Sequence, residues 1–379
     1  MSGGDRWRRA NWSLLVLALL LTGFGIAAIA SASEGLRSDW AWMQVRWVVV
    51  GLAGCLLVLA TPYRRIVQAR WALYAGGVAL LVLVLFKGTG QSAGRWIGVG
   101  AFRMQPSEFM KVILVVALAG MLRYERRHYR LKGLVGPLAV TMLPVALVMK
   151  QPDLGTALLL VPLLFAVLYA AGARVRHLGV VAGMGLVAGL AMFFIPGILH
   201  DYQKDRILAY ITEHTDSEAA ALLRQSQGHQ LHRGLVAAGL GGFSGVSQEE
   251  GGVASAVRDI PERHSDFVFP VFAARFGFVG VTLLLVLYLL FLGALLSTAL
   301  RVREPSGRLI VVGVFTLLSS QIVVNLGMTL GLLPVVGVTL PFFSYGGSSL
   351  LTTYLAIGLV LGVGADPPVE FGRTTFEER

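Results

Sequence analysis

The sequence predicts an all-α polytopic membrane protein of about ten transmembrane helices, and three observations carry that prediction. The 379 residues are 55% hydrophobic and only 14% charged, roughly half the charged share of an ordinary globular domain. So few charges cannot cover so much apolar surface in water, and the excess must face lipid. Apolar runs recur along the chain at the length a bilayer core requires, about 20 residues per helix. The net charge of +11, from 32 Lys+Arg against 21 Asp+Glu, would point to nucleic acid in a soluble chain. In a membrane chain it is first a question of topology.

The elements follow in order. Arg6-Trp7-Arg8-Arg9 before an apolar stretch from Trp12 to Ala30 has the charge order of a signal peptide, but the apolar part is too long for one. It reads as a retained first span with the N-terminus in the cytoplasm. Further spans are expected at about 43–60, 71–86, 107–122, 135–149, 156–171, 178–196, 268–299, 309–333 and 347–364. Alternation then puts 1–11, 61–70, 123–134, 172–177, 300–308 and the tail from Ala365 inside. Those segments hold 18 basic and 7 acidic residues, and the remaining 14 of each lie outside. All of the net charge is therefore cytoplasmic, as the positive-inside rule requires, and a nucleic-acid role loses its main support. The single Cys55 lies in an apolar run and excludes an internal disulfide.

One long outer segment, about 197–267 between spans seven and eight, interrupts the tight alternation. It opens with Asp201-Tyr202-Gln203-Lys204-Asp205-Arg206, continues through a polar helix-like stretch and becomes Gly-rich from Gly239 to Gly252. Long polar loops on a rigid scaffold tend to carry function, and the plainer reading is a mobile connector. The chain has no internal repeat of the kind seen in many transporters.

Four polar clusters fall on the outer side. Pro261-Glu262-Arg263-His264-Ser265-Asp266 precedes span eight. An acid there is partly desolvated and suited to general-base work, which makes Asp266 the first catalytic candidate; the alternative is a helix cap. Gly94-Arg95-Trp96-Ile97-Gly98 and Gln105-Pro106-Ser107-Glu108 precede span four, with Pro106 fitting a first helical turn. Glu108 and Lys111 are spaced to pair, and Lys111 is costly inside the hydrocarbon boundary. Lys150-Gln151-Pro152-Asp153-Leu154-Gly155-Thr156 lies between spans five and six, where Asp153 is also placed to cap span six. Span nine contains Gln321 and Asn325, and Pro341 through Ser349 is a Gly/Ser-rich stretch that reads as the wall of an outward cavity or as a simple turn. Metal-binding His/Cys spacings, a phosphate-binding loop and a nucleophile elbow are missing from the sequence.

At these residues the chain resembles the SEDS family (shape, elongation, division and sporulation), the RodA/FtsW/SpoVE type of cell-wall polymerase. Gly94 to Ile97, Gln105 to Glu108 with Lys111, Gln151 to Thr156, Pro261 to Phe267 and Pro341 to Ser349 occur in the family's order. The resemblance implies a ten-span fold that polymerises lipid II on the outer face of the cytoplasmic membrane. It further implies a class B penicillin-binding protein as transpeptidase partner and other elongation-complex membrane proteins. Arg263 resembles the elongation member RodA more than the division member FtsW. Ser265 replaces the usual Thr, and Ala274-Arg275 stands where the family usually has two glutamates.

The implied reaction needs a base for the attacking sugar hydroxyl, and cations or a divalent metal ion for the departing diphosphate. Asp266 matches the family's catalytic aspartate. By charge and topology, Arg95, Lys111, Arg206 and Arg258 are the cations at hand, with Glu108 orienting Lys111. Trp96, Gln151, Asp153, Glu262, His264, Asn325 and Ser344 are expected to contribute to the substrate site. A lone strong carboxylate fits single-displacement inversion. A lipid II flippase and a scaffold that only recruits the transpeptidase are the rival classes.

Overall fold

The computed structural model describes residues 7–33, 39–88, 94–99, 102–123, 130–195, 228–246, 257, 260 and 262–366. Each predicted span is a helix there: α1 Trp12–Ser33, α2 Trp40–Ala60, α4 Arg70–Lys87, α5 Pro106–Leu122, α6 Val135–Lys150, α7 Leu154–Ala170, α8 Val175–Phe194, α10 Val268–Arg301, α11 Pro305–Thr329 and α12 Gly347–Ala365. Two further helices lie between spans, α3 Tyr63–Gln68 and α9 Gly228–Leu240. Seven of the helical segments are long and apolar enough to cross a membrane by length and composition. The 17-residue α5 and α7 are shorter.

The helices start where local chemistry allows. Pro106 and Pro305 occupy first-turn positions that need no N–H donor. The Asp153 carboxylate accepts from the Thr156 amide at 3.1 Å and that of Glu304 from the Gly307 amide at 2.6 Å, each filling an N-cap role. In the packed bundle α12 lies along α2, α1 along α10, and α11 against α5, α7 and α10. In α12, 78% of the apolar window is buried, against 17% in α4, so α12 is central and α4 peripheral. The centre is aromatic: the Phe342 ring meets Phe291 and Tyr354 edge-on.

Three features depart from the sequence reading. Between α4 and α5 the chain forms a small antiparallel hairpin, β1 Ile97–Val99 with β2 Phe102–Met104, pairing Ile97 with Met104. Span nine sits four residues earlier than expected: α11 runs from Pro305 to Thr329, and Gly331 turns the chain with a φ of +74°. Span eight is not continuous. Gly277, at φ 60° and ψ −164°, breaks α10, in a backbone region that only glycine enters readily.

The break would strand backbone groups at membrane depth, where water cannot satisfy them. The Gly-rich outer segment fills it. The Phe278 and Val279 amides donate to the Gly242 and Phe243 carbonyls at 2.9 and 3.1 Å, and the Val246 amide donates to the Ala274 carbonyl at 3.2 Å. Arg275, in place of a family glutamate, donates to the Val246 carbonyl at 3.4 Å. The departure at 274–275 therefore supports the loop with a cation instead of presenting an acid. A Cβ at position 277 would fall 2.3 Å from the Gly245 nitrogen. Gly277→Ala is expected to cost roughly 3 kcal/mol or more and to lower the melting temperature in detergent; an unchanged melting curve would contradict the clamp.

At the end of the bundle predicted to face inward, Tyr63 Oη donates to Glu304 Oε2 at 3.0 Å, joining α3 to the start of α11. Burial pushes the Glu304 carboxyl up, but hydrogen bonds from Ser306, the Gly307 amide and Tyr63 outweigh it and leave its pKa below the ordinary value. With the folded value depressed, this stabilisation is complete above the ordinary carboxylate pKa of about 4.3 and is lost as pH falls through the folded value. Glu304→Gln is expected to lower the melting temperature by about 2–4 °C near neutrality, with the gap closing below roughly pH 4. A gap independent of pH would refute the assignment.

Candidate functional site

The turn Glu262–Phe267 carries the first catalytic candidate. The Ser265 and Phe267 amides donate to the Glu262 carbonyl at 3.0 and 3.3 Å, and Ser265 Oγ donates to Glu262 Oε2 at 2.9 Å. Arg263 is buried and donates to the Val257 carbonyl at 3.3 Å, so its guanidinium braces the turn from behind. The N-cap of α10 is Phe267, with no side-chain capping bond. Asp266, half-buried, directly precedes that N-cap position.

Two groups locate Asp266. Its main-chain carbonyl accepts from Asn325 Nδ2 at 3.1 Å, and the same Nδ2 donates to the Val338 carbonyl at 2.6 Å. Gly337 lies beside the carboxylate: a Cβ there would stand 3.2 Å from Asp266 Oδ2, and its φ of +72° is left-handed. His264, two residues away, stacks on Trp40 with centroids 4.3 Å apart and lies 5.6 Å from the Tyr345 ring. The Tyr345 amide donates to the His264 carbonyl at 2.9 Å. Burial lowers the His264 pKa, Arg263 lowers it further, and Glu262, 3.8 Å from His264 Nε2, opposes them. His264 is accordingly a neutral ring near pH 7.

The second and third clusters meet in one network. Asp153 Oδ2 accepts from Gln105 Nε2 at 2.8 Å and from Ser107 Oγ at 3.1 Å, while Oδ1 caps α7. The Gln105 amide donates to Ser348 Oγ at 3.0 Å, which brings in the Gly/Ser-rich stretch. Arg95 donates to the Pro152 carbonyl, and buried Gln151 donates to the Leu81 carbonyl at 2.9 Å. Ser344 is buried, with Oγ accepting from the Leu340 amide at 2.9 Å. Beneath this network Lys111, 2% exposed, donates to Glu108 at 2.7 Å, and Thr352 donates to the other Glu108 oxygen at 3.5 Å. The i,i+3 spacing foretold that pair.

All four clusters thus converge on the chain from Leu330 to Ser349. Trp96 leads into the hairpin. Arg206 and Arg258 lie outside the described residues. Among the described residues, no group of three or more His, Cys, Asp or Glu is arranged to hold a metal ion. Sequence reasoning missed Trp40 and Gln44, which reach the site from the start of α2, because a lone Trp and Gln at the edge of an apolar run look like span ends. It also missed Gly337, whose role is visible only once Asp266 lies beside it.

This architecture defines a polytopic helical membrane protein whose polar motifs gather at one end of the bundle. A family model described as "Cell cycle protein", spanning FtsW, RodA and SpoVE, matches residues 11–366. The chain is 34% identical over 367 residues to "Probable peptidoglycan glycosyltransferase FtsW" of Trichlorobacter lovleyi, covering 93% of this chain and 92% of that one. It is 32% identical over 364 residues to "Stage V sporulation protein E" of Bacillus subtilis, covering 92% and 95%. Among solved structures it matches a chain described under "Structural coordination of polymerization and crosslinking by a peptidoglycan synthase complex", with TM-score 0.80, 33% identity and coverage of 94% and 97%. It also matches the rod shape determining protein RodA of Thermus thermophilus, with TM-score 0.69, 31% identity and the same coverage. The chain belongs to the FtsW/RodA/SpoVE family, the SEDS family. These relatives carry FtsW, SpoVE and RodA names alike and do not single out the RodA type.

Asp153 is the node of the outer network. Asp153→Ala removes a cap and takes the acceptor from the buried Ser107 hydroxyl, and is expected to destabilise the protein by roughly 3 kcal/mol. A thermal melt in detergent reads this directly, and an unshifted melt would show the network to be idle.

Proposed function

We propose that this protein is a peptidoglycan glycosyltransferase that polymerises lipid II on the outer face of the bacterial cytoplasmic membrane, with both termini in the cytoplasm. The observation that carries the reading is Asp266, a half-buried carboxylate beside Gly337 at the turn before α10, where the polar motifs meet. The names of the relatives as peptidoglycan glycosyltransferases support the reaction class, and the confinement of net charge to the predicted inner segments supports the topology.

In this reading Asp266 takes the proton of the acceptor sugar hydroxyl as that oxygen attacks the anomeric carbon of a second lipid-linked unit. The anomeric C–O bond breaks with inversion, and its electron pair leaves with the lipid diphosphate. Asp266 then releases the proton to solvent. Arg95, with Arg206 and Arg258 of the outer segment, supplies positive charge for the leaving group. Lys111 is closed in its pair with Glu108, so its contact with a diphosphate requires that pair to open. Trp96, Glu262 and His264 are assigned to the substrate side of the site in this reading. Gln151, Asp153 and Ser344 hold the walls through their hydrogen bonds.

A class B penicillin-binding protein as cross-linking partner is supported by the solved synthase complex that this chain resembles. The elongation role, with its other membrane partners, rests on Arg263. Cells depleted of the protein are expected to round up; filamentous cells would assign it to division.

The decisive measurement is polymerisation of purified lipid II by the purified protein, with and without the partner. Asp266→Ala is expected to lower the rate by about 10²–10⁴-fold with little change in melting temperature, because the Asn325 bond goes to the main-chain oxygen and survives the substitution. Retained polymerisation would remove Asp266 as base. Lipid transport without polymerisation would favour a flippase.

A further inference from the structure

We infer that Asn325 is a positioning residue for the Asp266 carboxylate and not a contact for substrate; the inference rests on the reading of Asp266 as the base. Asn325 lies within the apolar helix α11 with 0% of its surface exposed. A buried amide inside a membrane span is costly unless it is hydrogen-bonded, and a position that retains one is a candidate for function. Its single Nδ2 serves two carbonyls from distant parts of the chain, Asp266 at 3.1 Å and Val338 at 2.6 Å. The amide orientation is forced, because the flipped rotamer would set Oδ1 against two carbonyl oxygens with no donor between them.

The two carbonyls are the two sides of the carboxylate's seat. Asp266 O belongs to the catalytic turn, and Val338 O directly follows Gly337, against which Asp266 Oδ2 lies. One amide therefore sets the separation between the residue that bears the base and the wall on which the base rests. Trp40, Tyr345 and His264 hold the same turn on its other side, so loss of Asn325 releases one edge without unfolding the whole. A displacement of about 1 Å at a reacting group is enough to cost on the order of 10²-fold in rate.

The test compares wild type, Asn325→Ala, Asn325→Leu and Asp266→Ala in lipid II polymerisation, with Thr329→Val as control. Thr329 donates only to main-chain carbonyls of its own helix, those of Asn325 and Leu326, and its substitution reports the packing of α11 alone. Asn325→Ala is expected to lower kcat by about 10- to 100-fold, leave KM for lipid II within about twofold, and displace the midpoint of the rate–pH curve. Asn325→Leu, similar in size but without a donor, is expected to do the same and carries the test should the alanine variant fail to fold. Wild-type kcat and pH midpoint in these variants, with Asp266→Ala inactive, would overturn the positioning role alone. So would a kcat loss that Thr329→Val reproduces with the midpoint unmoved. An active Asp266→Ala would instead overturn the base assignment beneath it.

Discussion

The end of the bundle that carries the polar motifs depends on how the irregular chain between α11 and α12 is hydrogen-bonded. A non-helical backbone surrounded by transmembrane helices has unpaired N–H and C=O groups that water cannot reach, and each orphan costs about 1–3 kcal/mol. Here the surrounding helices supply the partners. Tyr288 of α10 donates to the Pro341 carbonyl at 2.7 Å, Gln44 of α2 to the Ser344 carbonyl at 3.0 Å, and Asn325 of α11 to the Val338 carbonyl. The Gly346 amide returns to Gln44 Oε1 at 3.4 Å, and Thr339 and Ser349 share a hydroxyl bond of 2.8 Å. Buried polar side chains in the spans are thus part of the loop, and the loop is what the site is built on.

The same requirement governs the break in α10. Gly277 opens the helix and the Gly-rich outer segment closes it with main-chain hydrogen bonds, so a segment nominally outside the membrane becomes structural material of a span. The nine residues before the break lead directly into the turn that carries Asp266. The catalytic candidate therefore stands on a short helical piece pinned at Gly277 below and by Asn325, Trp40 and Tyr345 around it. These polar and aromatic ties add to apolar packing, since Val268, Phe269, Val271 and Phe272 of that piece are buried, whereas Leu289 and Leu290 farther along α10 are exposed.

Chemically, the site separates scaffolding charge from reactive charge. Asp153 has both oxygens engaged, Glu108 is paired with Lys111, and Arg263 is turned to a backbone carbonyl. Asp266 is half-buried at the end of its turn, and its main-chain carbonyl is held by Asn325. Several residues that look catalytic in a motif thus prove, once folded, to build the walls.

By itself the sequence determined the span count, the expected orientation and the family, because hydropathy, charge asymmetry and short motifs are local quantities that add along the chain. It also determined the Glu108–Lys111 pair, since i,i+3 spacing on a helix implies contact wherever that helix lies. The tertiary structure decided that Phe267 occupies the N-cap position of α10, that Asp153 gathers Gln105 and Ser107, and that Gly337 makes room for a carboxylate. It alone decided that the Gly-rich segment repairs a break at Gly277. The physical reason is the same in each case: a donor finds its carbonyl across tens or hundreds of residues, and no local pattern records which buried oxygen the packed bundle will leave without one.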